Sequence, residues 1–233
     1  MSAARHKGRL RMVLATEIVA LQDELTQAWH AAPQAKGDGS PPRPAGPGCN
    51  DRVGNDKDAG DSWLSLVTRQ HRANFDLWHI EDEARAPGAS DAELAAVKRR
   101  VDRTNQLRND LIEELDRMLL SWMGSRGLPN PGAPLNSEPP GMIIDRLSIL
   151  ALKIYHTREE SGRLGAPPGH ADHNRQRLQI LEEQRADLAG CLDALWQETL
   201  HGMRRFKLYR QLKMYNDPSL NPAIYGKAAG AKG

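Results

Sequence analysis

The residues whose types could do chemistry are His71, His79, Asp82, Asn105, Arg108, Asp145 and His156. His79 and Asp82 are three apart, as are His156 and Glu159. On a helix that spacing projects both side chains from one face. His79 could then serve as an acid/base or a metal ligand, with Asp82 orienting or co-ligating it. Bundles that hold two metal ions use carboxylate and His ligands at this spacing. Their usual order is Glu-x-x-His, and no second full copy with two further glutamates is evident. His79, Asp82, His156 and Glu159 therefore form a metal-ligand set that falls short of the pattern. Asp76, three before His79, points away from the apolar stripe.

His71 and Arg108 lie within apolar stripes and Asn105 on the edge of one. A buried guanidinium costs several kcal/mol unless a carboxylate or a bound anion pairs with it. Its planar fork suits either. Asp82 and Asp145 are the structural partners in reach, and a ligand carboxylate or phosphate is the alternative. These residues define one expected pocket, with His79, Asp82 and Asp145 catalytic and Asn105, Arg108 and His71 binding substrate. The ligand it fits is a small anionic or sugar-like molecule.

Other patterns read more plainly. Glu81, Asp82, Glu113 and Asp116 lack the spacing of magnesium-binding acidic pairs, and Glu113 and Asp116 look like a solvated face. His170-x-x-His173 reads as a surface pair. Ser148 sits mid-helix without a strained elbow, and neither Cys49 nor Cys191 has a placed His, so no nucleophilic triad is arguable. Nothing resembles a phosphate-cradling Gly-rich loop, and no pattern names a cofactor.

The elements that must position these residues are helices. Apolar residues at three- and four-residue steps predict a first helix over residues 9–31, carried by Leu10, Val13, Leu14, Ile18, Leu21, Leu25 and Trp29. Residues 32–60 are a Pro/Gly-rich linker too poor in apolar residues to fold by itself. A second helix runs over 61–85. A third begins at the capping box Ser90-x-x-Glu93 and runs to about Trp122. After a loop with five prolines comes the most apolar helix, 140–162, which should be central to the bundle. A fifth runs from 171 to 206 and on to Tyr215. Its Arg204, Arg205, Lys207, Arg210 and Lys213 read as the polar face of a last helix. No segment shows strand alternation. The fold class is all-α, a bundle of five to six helices with a disordered insertion after the first. The bundle domain spans 61–225 and forms a single unit with 9–31, the N-terminal segment being 1–31. Residues 226–233 are a frayed tail.

Composition bounds the rest. The chain has 233 residues, 39% hydrophobic and 27% charged, with a formal net charge of +2. Near-neutrality argues against a bulk electrostatic role on nucleic acid. Two cysteines make no disulfide framework. No apolar run reaches membrane-spanning length, and the basic N-terminus lacks the apolar core of a signal peptide. The expected location is cytoplasmic, without a membrane partner. Homo-oligomerisation is compatible with all of this.

Three stretches carry a family resemblance. They are LWHIED (Leu77 to Asp82), NQLRN (Asn105 to Asn109) and Leu135 to His156; the closing YRQLKMYNDPSLNP also fits. Together they resemble the uncharacterised bacterial family known as domain of unknown function 4254. Pro139 and Met142 stand where that family's pattern has hydroxyl residues, which removes a hydroxyl-assisted anion site at that helix start. The resemblance implies no reaction. Three functional readings follow: an enzyme or enzyme accessory subunit with the pocket above, a non-catalytic helical adaptor, and a metal-dependent carboxylate/His bundle enzyme.

Overall fold

The structure is a computed structural model that describes residues 14–32, 63–212 and 219–222. Five helices follow in order: α1 (Ala15–Ala31), α2 (Trp63–Glu83), α3 (Asp91–Gly124), α4 (Pro140–Ser161) and α5 (His170–Leu200). Among the described residues no strand forms; Leu135 and Arg205 make one isolated parallel bridge. The expected all-α bundle is what forms. The linker expected over 32–60 lies, but for Ala32, outside the described residues, as do the tail 226–233 and the start of the first helix.

The most apolar helix is indeed central: α4 packs against all four others. Ile144, Leu147, Leu152 and Ile154 are fully buried on it. Ile144 and Leu147 meet Leu66 and Val67 of α2, Leu111 and Leu115 of α3, and Leu192 and Trp196 of α5 in one core. The short turn at Gly88 makes α2 and α3 neighbours, and the Ser90–Glu93 capping box forms in both directions.

The helices α1 and α4 both begin with no side-chain cap of their own. Leu14 before α1 and Pro139 before α4 give no side-chain bond to the first turn. A carboxylate from another helix supplies each one. Asp193 of α5 accepts the backbone N–H of Ala15 at 2.8 Å, and Asp116 of α3 accepts that of Gly141 at 2.7 Å. These carboxylates satisfy orphan donors and complement the positive end of each helix dipole. Gly141 is required for the second contact, because a Cβ there would lie 2.7 Å from the Ile112 carbonyl oxygen. Asp116 is therefore buried, 1% exposed, and not part of a solvated face.

The end of α5 departs from expectation. The helix stops at Leu200, Gly202 turns the chain with φ +71°, and residues 204–212 are not helical. Sequence periodicity had carried the helix on to Tyr215. Tertiary pairing wins instead: Arg205 N–H donates to Pro134, Asn136 N–H donates to Arg205, and Phe206 fills the core. The basic residues 204–210 thus lie along a strap beside the Pro-rich loop. α1 is also placed differently. Its buried residues are Ala15, Ile18, Gln22 and Thr26, while Leu14 is exposed and Leu21 and Leu25 are half-buried.

Burial pushes the Asp116 carboxyl up to about 7, against the lowering effect of its bond from Gly141. Between 3.8 and that value the folded chain keeps a proton the unfolded chain has lost. This group therefore makes stability fall as pH rises through that window. Asp116→Asn keeps an oxygen for Gly141 and removes the effect. Its stability relative to wild type, from urea unfolding, should improve by about 3 kcal/mol between pH 4.5 and 7.5.

A candidate metal centre joined to a buried polar network

Of the six residues expected to share one pocket, four fall into two groups, the second of which also takes in His156, and Asp82 and Asn105 fall in neither. Asp145, Arg108 and His71 belong to a network in the bundle core. His79 and His156 belong to a cluster nearer the surface.

In the core, Asp145 sits in the second turn of α4 at 5% exposure. Its Oδ1 accepts from Gln70 Nε2 (2.7 Å), Asn74 Nδ2 (2.9 Å) and Arg108 Nε (2.7 Å), and its Oδ2 accepts from Arg108 Nη2. The guanidinium fork is thus engaged by a carboxylate of the protein itself, the structural pairing weighed above. Asp145 holds the guanidinium charged still more firmly than usual. Asn105 is half-buried and stands outside the bonds of Asp145. Asp82 is exposed at the end of α2 and does not reach this network; helical phase alone had put it on the inward stripe.

The network continues through groups that spacing did not single out. Asn74 Nδ2 also donates to Ser148 Oγ at 2.9 Å. Ser148 Oγ lies 2.7 Å from His71 Nδ1, and His71 Nε2 lies 2.9 Å from Thr26 Oγ1. Thr26 Oγ1 donates to the Gln22 carbonyl at 2.7 Å. Because a carbonyl only accepts, the Thr26 hydroxyl proton is committed to it. Thr26 must then accept from His71 Nε2–H, which leaves Nδ1 to accept from Ser148. Burial lowers the His71 pKa to about 4, so the ring is neutral as this assignment requires. Ser148 and His71 are both 0% exposed. Their contact resembles a nucleophile and its base, but no solvent or substrate reaches it, and its role is to satisfy buried polar groups.

The second group sits where the C-terminal part of α1 meets α2 and α4. One ring nitrogen from each of His30, His79 and His156 lies within 4.8 Å of the others. In all three rings Nε2 is buried without a hydrogen-bond partner. Other buried polar atoms lack partners too, such as Trp63 Nε1 and Thr199 Oγ1. Among the described residues, however, only these three imidazoles form a group of metal-ligand atoms.

The remaining nitrogens explain the tautomers. His30 Nδ1 lies 2.7 Å from the Thr26 carbonyl, and His156 Nδ1 lies 3.2 Å from Glu159 Oε2. Both oxygens only accept, so Nδ1 carries the proton and Nε2 keeps its lone pair. A carbonyl or carboxylate behind the ring is the usual second partner of a ligating His. Tyr155 stacks on His30 (centroids 4.1 Å, 15°) and Trp78 on His156 (4.7 Å, 10°). Phe75 meets His30 and His79 edge-on. Burial first, then the neighbouring imidazoles, hold the His79 pKa below its ordinary value; burial and then His30 do the same for His156. Less proton competition at neutral pH favours a metal.

A zinc-like ion bonds imidazole nitrogen at roughly 2.0–2.1 Å, which puts neighbouring nitrogens about 3.3 Å apart in a tetrahedron. Drawing the rings in by about 1 Å would reach that geometry. Glu159, expected as a ligand, instead serves behind His156, and Asp82, one turn beyond His79, is exposed beside the centre. The neighbouring carboxylate of Glu160 is taken by Arg163 and His170. Asp76 is paired with Arg72.

His30 is the residue the sequence did not point to. It has no other ligand type at helical spacing within α1. The signal that existed is polar: Gln22, Thr26 and His30 recur every four residues along one face. An open groove of about 900 Å³ lies elsewhere, between α4 and α5, and includes Arg146, Lys153, Asp187 and Cys191. None of the residues of either group lines it.

The family described as protein of unknown function (DUF4254) matches residues 64–208. This chain belongs to that family. The match covers α2 to α5 and the start of the strap, so His79 and His156 of this DUF4254 protein fall within it and His30 outside. No curated protein and no solved structure matches the chain. Among the described residues no helix is long and apolar enough to cross a membrane.

If Arg108 serves Asp145 and not a ligand, its removal strands a buried carboxylate. Arg108→Met should then cost about 3 kcal/mol in urea unfolding at pH 7. A variant as stable as wild type would refute the pairing.

Proposed function

We propose that this protein is a metal-dependent enzyme whose centre is a transition-metal ion held by His30, His79 and His156. One observation carries the reading. One ring nitrogen from each of three helices lies within 4.8 Å of the others, the three Nε2 atoms are buried without a partner, and His30 Nδ1 and His156 Nδ1 are engaged by Thr26 and Glu159. Neutral imidazole donors with no thiolate suit zinc, copper, nickel or iron. Three protein ligands are the number typical of catalytic zinc sites, where the fourth position takes water or substrate. A metal in such a site supplies Lewis acidity, polarising a substrate oxygen or a bound water. Asp82, exposed beside the centre, is the carboxylate placed to take a proton there.

The substrate we infer is a small anionic or sugar-like molecule that brings an oxygen to the metal. We place the reaction in the cytoplasm, in keeping with the absence of a spanning helix among the described residues. The core network contributes rigidity and is not the substrate pocket.

The test is metal content and affinity on full-length protein purified without a His-tag. Metal-depleted protein titrated with zinc should take up about one ion per chain. At 100 times the dissociation constant, folding should be stabilised by about 2.7 kcal/mol. His79→Ala and His156→Ala should each weaken binding by 100-fold or more while the chain stays folded. Wild type that takes up no zinc, cobalt, nickel or copper sinks the metal centre.

A further inference from the structure

The core network and the three-His cluster meet at a single residue. The Thr26 hydroxyl receives His71 and is bonded to Gln22, while the carbonyl of the same residue receives the His30 ring. Thr26 itself is 1% exposed. Beyond it the last turn of α1 offers little of its own to hold it in place. Gln27, Ala28 and Ala31 are exposed, leaving Trp29 and His30 as the half-buried side chains of that turn. Trp29 stacks on His71, at 5.2 Å and 27°, so Trp29 and Thr26 both lean on the same imidazole, while the His30 ring lies against Tyr155 and Phe75. His71 is held in turn by Ser148, and Ser148 is bonded to Asn74, which also grips Asp145.

We propose that Thr26, His71 and Ser148 are positioning residues for His30, fixing the rotamer and tautomer in which its Nε2 faces His79 and His156. This rests on the metal reading of that cluster, but the placement of His30 is a separate claim. The chain of bonds has a defined direction. Asn74 donates to Ser148, Ser148 to His71, His71 to Thr26 and Thr26 to Gln22. Because each hydroxyl proton is already committed, Thr26 has no alternative partner in the core, and its carbonyl stays in one place for His30 Nδ1–H. An outer hydrogen-bonding group typically changes metal affinity by 10- to 100-fold. Acting one bond further back, the Thr26 hydroxyl should produce the lower end of that range.

The experiment compares full-length wild type, Thr26→Val, Thr26→Ser and Ser148→Ala. Cobalt(II) affinity is measured by chelator competition, and the visible spectrum of the cobalt form is recorded. Thr26→Val should weaken cobalt binding about tenfold and alter the visible bands. Thr26→Ser should restore both, and Ser148→Ala should move them in the same direction as Thr26→Val. Met123→Ala, a core truncation far along α3, controls for general loosening. Equal weakening in that variant, or an unchanged affinity and spectrum in Thr26→Val, overturns the proposal. A second measurement needs no metal. Long-range nitrogen–proton NMR of the metal-free protein should show His30 protonated at Nδ1 in wild type and in Thr26→Ser, and a mixture of tautomers in Thr26→Val. If wild type binds no cobalt, the metal reading falls while the NMR result still decides whether His30 is positioned in this way. An identical tautomer in Thr26→Val then overturns it.

Discussion

The bundle is organised by the need to satisfy one carboxylate on its central helix. Asp145 lies on α4, which packs against every other helix, and it is buried. A buried carboxylate survives only with charge and hydrogen bonds around it. Its four bonds come from Gln70 and Asn74 on α2 and Arg108 on α3. They fix the register of three helices at once. A slide of α2 by one residue would rotate Gln70 and Asn74 away by about 100° and strand the carboxylate. Hydrophobic contacts are less exacting, because leucine tolerates several neighbours. We take the polar group to specify which packing occurs and the apolar core to supply most of its stability.

Carboxylates play a related part at the helix starts. Asp193 and Asp116 cap α1 and α4 from outside those helices. Such caps tie secondary structure to tertiary structure: each helix start is completed only when the neighbour is docked. For α4, the orphan N–H that a local cap would serve is already engaged by Asp116. That carboxylate is itself strained electrostatically, since burial raises its pKa and Glu113 adds to the effect. Asp116 and His71 titrate with opposite consequences. His71 favours folding less as pH falls from 6.5 towards 4, because the unfolded chain gains a proton the folded ring refuses. Over the same interval Asp116 favours it more.

The fold was legible because helix periodicity, the Ser90–Glu93 box and the Pro/Gly turns are local signals. They located α2, α3 and α4 to within a residue or two. Where the reading failed, the deciding interaction was distant in sequence. Gly202, in the left-handed conformation, is the local signal that ends α5 at Leu200, and pairing of Arg205 with the loop at Pro134 and Asn136 is the distant one that keeps the chain from resuming a helix. Nothing local turns Gln22 and Thr26 inward in place of Leu14; the Ile144 carbonyl and His71 do. Site residues behaved likewise. Arg108 and Asp145 were recognisable as charges on apolar helices that had to find partners. His79 and His156 were recognisable by type. Their grouping was not, because spacing within one helix says nothing about which helix supplies the next ligand. His30 enters from α1, across a break of more than thirty residues before α2 begins.

These two kinds of polar interaction also bear on where a reactive site can exist in such a small bundle. The Asp145 carboxylate is engaged on both oxygens by Gln70, Asn74 and Arg108, so it can hold geometry but has no free valence for chemistry. The histidine cluster is the reverse. Its Nε2 atoms lack hydrogen-bond partners, and an unpaired buried acceptor costs about 1–3 kcal/mol. Three such acceptors side by side are a local deficit that packing alone would remove by turning a ring outward. The rings are kept in place by stacking with Tyr155 and Trp78 and by the bonds behind His30 and His156. On the metal reading proposed above, a cation would engage the three nitrogens together. Thr26 is then the point where the core network would steady the group, because its carbonyl receives the His30 ring and its hydroxyl receives His71.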